Sequence, residues 1–131
     1  MNRFERAQQI WSLLVWAAAH RQTLTYDVLG RLIGLPQPEL GRLLEPVQSL
    51  CILEDLPPLT SLVVESRSGQ PGEGFIAAAD VPQAQAEVFA YGWLDRAAPT
   101  ADQFAAAVSR LPSCGLSLSA LLRQVGPKAL A

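Results

Sequence analysis

Residues 24–75 read LTYDVLGRLIGLPQPELGRLLEPVQSLCILEDLPPLTSLVVESRSGQPGEGF, and the fold depends on how this stretch divides. Thr25 suits an N-cap, since its hydroxyl can accept from a first-turn amide, and Asp27 lies near the positive end of the helix it opens. That helix is expected over 26–33, with Val28, Leu29, Leu32 and Ile33 on its inner face. Gly34 stops it and Pro36 starts the next element. A third helix is expected over 38–50, turning Leu40, Leu43, Leu44 and Val47 inward. Pro46 falls inside it. A proline there removes a backbone hydrogen bond, so a bend or a break into two helices is expected. Two short helices joined by Gly-Leu-Pro make a helix-turn-helix pattern.

The end of the stretch changes period. Leu62, Val63 and Val64 form a β-branched-rich run, and Pro57 and Pro58 before it belong at or ahead of a strand edge. SRSGQPGEG holds three glycines and one proline in nine residues, which is turn chemistry. Gly74-Phe75-Ile76 is then the expected return strand. A helix pair followed by a hairpin suggests a winged helix, with Arg67 near the wing tip placed to reach a phosphate or a minor groove.

Upstream, residues 3–20 read as a helix whose apolar stripe is Phe4, Ala7, Ile10, Trp11, Leu14, Val15 and Ala18. Trp16 lies off the centre of that stripe and either widens the buried face as a second core aromatic, the expected reading, or marks a contact. Downstream, Pro82 suits the first turn of a helix ending near Trp93, with Ala84, Val88, Tyr91 and Leu94 at helical spacing. Thr100 and Gln103 approximate a capping box for a helix with Phe104, Ala107, Val108 and Leu111 inward, ended by Pro112. A last short helix is expected over 117–125, followed by a loose tail. The fold class expected is mainly α with a small β-hairpin: a single domain over 1–131, with a winged helix-turn-helix core (1–76) and a C-terminal helical extension (77–131).

Composition narrows the partners. The chain carries one lysine, Lys128, and nine arginines against twelve acids, for a net charge of −2. Non-specific duplex binding draws most of its affinity from Lys and Arg on phosphates, so strong binding of that kind is disfavoured and a local Arg patch is needed. Cys51 and Cys114 have no metal-ligand spacing and are too few for a disulfide scaffold; both are expected reduced and mostly buried. His20 is the sole histidine, which excludes a multi-histidine metal site and leaves a Cys51–His20 pair without supporting spacing. The carboxylates Glu54-Asp55 and Glu65/Glu73 have no partner set for a metal-dependent nuclease. SGQPGEG lacks the Lys-Ser/Thr of a phosphate-binding loop. No apolar run spans a bilayer, so a cytoplasmic location without a membrane partner is the default.

Over roughly residues 4–75 the chain resembles the C-terminal domain of the alkylguanine-DNA alkyltransferases and the non-enzymatic alkyltransferase-like proteins. Thr25, Tyr26, Leu29, Gly34 and Pro36 carry the resemblance. It implies a winged helix-turn-helix in which Tyr26 stands by the DNA backbone and helps rotate a nucleotide outward; on the residues alone Tyr26 reads equally as a helix-start aromatic packing on its neighbours. The family's Arg finger is absent, because Pro38, Glu39 and Leu40 occupy its stretch. The family's nucleophilic Cys is also absent: Pro57-Pro58-Leu59-Thr60-Ser61 stands there, with Thr60 near the Cys position. A threonine hydroxyl without an adjacent base is a poor nucleophile. The expectation is a non-enzymatic, cofactor-free and metal-free protein that binds double-stranded DNA through Tyr26, Gln37, Arg42 and Arg67. The alternative is a protein–protein interaction module, such as an accessory, inhibitor or immunity factor, on the same scaffold. A homodimer fits either reading.

Overall fold

The structure is a computed structural model that describes residues 1–72 and 74–113. The expected helix over 117–125, the tail, Cys114, Glu73 and Lys128 lie outside the described residues. The described residues are mainly helical, with one small two-stranded sheet among them.

Helix α1 (Arg3–Ala19) opens with a capping box. Asn2 Oδ1 accepts from the amides of Phe4 and Glu5, and the Glu5 carboxylate accepts from the Asn2 amide; this satisfies donors that a helix start leaves open. Ala7, Ile10, Trp11, Leu14, Ala17 and Ala18 are buried, so α1 is the central element of the core. It packs against α3 (Leu40–Leu53), α5 (Ala101–Arg110) and a 3-10 turn (Leu59–Leu62). The Trp11 indole meets Trp93 edge-on at 5.5 Å and Phe104 at 5.9 Å.

Strand β1 (Leu24–Thr25) leads into α2 (Tyr26–Ile33). Thr25 caps α2 as expected, accepting from the Val28 amide at 3.1 Å. Gly34 ends it in the left-handed region at φ 75°, a conformation that favours glycine. Gly30 is fixed for a different reason: a Cβ there would lie 2.7 Å from the Leu35 carbonyl oxygen. The inner face of α2 is Leu29, Gly30 and Ile33. Val28 and Leu32, expected inward, are exposed. A two-turn helix presents one i, i+4 row to the core, and 29/33 is that row, which leaves 28/32 outside.

A 3-10 turn (Gln37–Glu39) precedes α3, which runs unbroken through Pro46. The proline takes away the amide that would have bonded the Arg42 carbonyl. Arg3 supplies the replacement: its Nε donates to that carbonyl at 2.8 Å, and its Nη2 pairs with the buried Glu45 carboxylate. A side chain from α1 therefore repairs the proline defect in α3.

The sheet is a parallel pair of β1 with β2 (Val63–Val64), in the register Leu24–Val63 and Thr25–Val64. The expected return strand at 74–76 is not formed. The loop over residues 65–72, expected as a wing and called the wing loop below, is closed instead by one antiparallel bridge between Val64 and Pro71 and by the Glu65 amide donating to Gln70 O at 2.8 Å; a winged helix is not established by this pairing. Proline cannot donate to a ladder, so pairing stops there. Helix α4 (Val81–Ala90) is capped by Asp80, and α5 by the expected Thr100–Gln103 box. On α4 and just beyond it, Ala84 and Val88 are buried, whereas Tyr91 and Leu94 are exposed. The helix stops at Ala90, so the spacing does not carry these two residues inward. Among the described residues no helix is long and apolar enough to cross a membrane.

Candidate nucleic-acid interface

The start of α2, the turn before α3 and the wing loop meet around an open groove of about 750 Å³. Tyr26 and Asp27 come from α2, Gln37 and Pro38 from the turn, Glu65 and Arg67 from the wing. Three of the four residues expected to bind DNA thus share one surface. Arg42 is exposed in the first turns of α3 and is not among the residues lining this groove.

Each position has a local cause. Tyr26 sits immediately after the Thr25 cap, and its phenol oxygen accepts from the Gly72 amide at 3.2 Å. A Cβ on Gly72 would lie 2.6 Å from that oxygen, so only glycine lets the wing come this close to Tyr26. Burial pushes the phenol pKa up, and the Gly72 amide offsets part of that rise. The phenol therefore keeps its proton near neutral pH and can donate it into the groove. In the wing, Gly69 adopts φ 69°, and its amide donates to Glu65 O at 2.8 Å. This tight turn presents Arg67 at an exposed tip. The groove also carries two carboxylates. Asp27 is engaged by Arg31 at 3.2 Å and approached by Gln37 Nε2 at 3.5 Å. The Asp27–Arg31 pair is exposed and contributes little to stability, but it places a cation beside the acid.

Beneath Tyr26 is a smaller cavity of about 70 Å³, with Leu44, Glu45, Gln48, Thr60 and Phe75 in its wall. Thr60, read as standing near the alkyltransferase nucleophile position, is 5% exposed, and its Oγ1 has no hydrogen-bond partner among the described residues. His20 is remote in role: it stacks on Trp16 at 4.1 Å, and its Nδ1 lies 2.9 Å from Trp16 O. Thr60 therefore has no imidazole to activate it.

Cys51 is buried, and that burial pushes its thiol up to about 12, with a Leu59 backbone hydrogen bond and Arg96 acting the other way. At pH 8 the thiolate fraction is on the order of one in ten thousand. In a Cys114→Ser background, Cys51 is expected to resist a disulfide reagent at pH 8 until denaturant is added; rapid labelling of the folded chain would contradict its placement. The raised folded value also sets a pH dependence. Stability from the protonated thiol is complete below its usual 9.0 and declines as pH rises toward 12.

Trp16, expected in the core, is 54% exposed. Together with Trp93 and the 78%-exposed Leu94 it borders a second groove of about 410 Å³. Arg3, Gln48 and Ser49, which hold the frame behind the groove, were not among the residues expected from the sequence. The proline at position 46 was the available signal for Arg3; nothing in periodicity marks the other two. Comparison of the chain with family models, with curated proteins and with solved structures finds no match.

Proposed function

We propose that the protein is a non-enzymatic DNA-binding protein of winged-helix, alkyltransferase-like architecture, contacting duplex DNA through the groove between α2, the turn before α3 and the wing, and through the exposed Arg42 of α3 outside that groove. One observation carries this reading: Tyr26, Gln37 and Arg67, far apart in sequence, line a single open surface. Arg67 supplies a phosphate contact, Gln37 a neutral hydrogen-bonding group, and Tyr26 a protonated phenol. Asp27 and Glu65 oppose the phosphate field and hold non-specific affinity low. The reading predicts modest binding that falls steeply with salt.

Fluorescence anisotropy with a labelled duplex, plain or carrying one alkylated guanine, tests it across several salt concentrations. Arg67→Ala and Arg42→Ala are each expected to weaken binding and to reduce the salt slope by about 0.9, one phosphate contact apiece. Gln37→Ala is expected to weaken binding with the slope unchanged. Binding that is indifferent to both arginines would sink this surface assignment.

The groove beside Trp16 and Leu94 favours a second reading, a protein–protein interaction module. Exposed large apolar side chains at one site are a feature of such surfaces. On that reading Trp16→Ser abolishes partner or self-association and leaves DNA titrations untouched.

A further inference from the structure

Gln48 is 4% exposed and uses its whole carboxamide. Its Nε2 donates to Gly74 O and to Ser113 Oγ, each at 3.2 Å, and its Oε1 accepts from the Ile76 amide at 3.0 Å. The carbonyl of residue 74 and the amide of residue 76 are the two groups that a neighbouring parallel strand would bond across Phe75. The side chain of Gln48 thus does for the segment leaving the wing what the missing strand pairing would have done. Beside it, Ser49 Oγ donates to Leu111 O at 2.7 Å and shares a hydrogen bond with Ser113 Oγ at 2.7 Å. On the same segments Ile52, Ala77 and Leu111 form a small apolar cluster, with Leu53, Phe75 and Ile76 packed against it. One turn of α3 therefore grips both the chain that leaves the wing and the chain that follows α5.

We propose that Gln48 is the positioning residue of the wing: it fixes where Arg67 stands over the groove, and through Ser113 it ties that position to the segment after α5. The inference rests on the reading of the groove as a DNA surface. Its mechanical half stands on the hydrogen bonds alone. The wing is held at one side by β2, the Val64–Pro71 bridge and the Tyr26–Gly72 hydrogen bond. On the other side the Phe75 amide donates to Gly72 O at 3.0 Å within the turn, and Gln48 takes the Gly74 carbonyl and the Ile76 amide.

The test uses Gln48→Met, which keeps volume and removes both hydrogen-bonding groups, and Gln48→Glu, which keeps the acceptor for Ile76. Amide exchange and salt-dependent duplex titration are measured on each. Gln48→Met is expected to speed exchange at Ile76 about tenfold, with the amides of α1 unchanged, and Gln48→Glu to speed it less. In Gln48→Met the salt slope should fall by about 0.9, and adding Arg67→Ala should then lower it no further, because the misplaced wing has already lost that phosphate. Ser113→Ala should move both readouts in the same direction by a smaller amount. Exchange that rises equally throughout α1, or a full Arg67 increment persisting in Gln48→Met, overturns the positioning role. Absence of duplex binding by the wild type overturns the DNA reading by itself, and with it the role over DNA. Protection at Ile76 unchanged in Gln48→Met overturns the grip whatever DNA does.

Discussion

Truncating Phe104 to alanine is expected to lower stability by about 3–5 kcal/mol. The side chain is fully buried and lies 5.9 Å from the Trp11 ring, on a helix of only ten residues. Helix α5 carries little else that is large: Ala107 is its other buried residue. Removing the phenyl ring leaves a cavity that small alanine neighbours cannot fill, so the transfer cost and the cavity cost add. Trp11 also loses a partner, although its edge-on contact with Trp93 at 5.5 Å remains. Chemical denaturation at pH 7 measures the effect, and Phe104→Leu should recover more than half of it. A loss below about 1 kcal/mol would mean that α5 is not part of the main core.

The second large effect is at Arg3. Arg3→Ala is expected to cost about 2–3 kcal/mol. The change removes the donor to the Arg42 carbonyl, which Pro46 has already deprived of its helical partner, and the cation facing the buried Glu45. The arginine is 20% exposed and Glu45 8%, so the loss falls short of that for a fully buried pair. A double-mutant cycle isolates the cause. In Pro46→Ala the amide of residue 46 returns to the Arg42 carbonyl, so Arg3→Ala should cost about 1 kcal/mol less in that background. Equal costs in the two backgrounds would show that the proline defect and Arg3 are independent.

These two sites mark what the sequence could and could not reveal. Local signals were legible wherever one residue type answers one local need. Thr25 and Thr100 cap helices, Gly34 adopts the left-handed stop, and the 63–64 run becomes a strand. Periodicity found the inner faces of α1, α3 and α5 because each is long enough for a stripe to repeat. It failed on α2, where two turns cannot distinguish the 28/32 row from the 29/33 row, and at Trp16 and Leu94, where an apolar residue is not obliged to be buried. Pairing between distant segments was hidden. The β1–β2 pair joins residues separated by some forty positions through two residues on each side, too short a run to read from alternation. Pro46 announced a break that Arg3 prevents, and no local pattern connects the two. Tyr26, Gln37 and Arg67 could be picked out one by one, and their convergence on one groove became visible only with the fold. The carboxylates among them, Asp27 and Glu65, were not weighed as part of the same surface.

On the proposed reading, duplex DNA meets the protein at this groove and not at the apolar surface around Trp16. Amide chemical-shift mapping during titration with a short duplex at low salt tests it most directly. Shifts are expected at Tyr26, Gln37 and residues 66–72, reversed by added salt, with Trp16, His20 and Leu94 unmoved. Shifts centred on Trp16 and Leu94, or no shift at all at low salt, would contradict it.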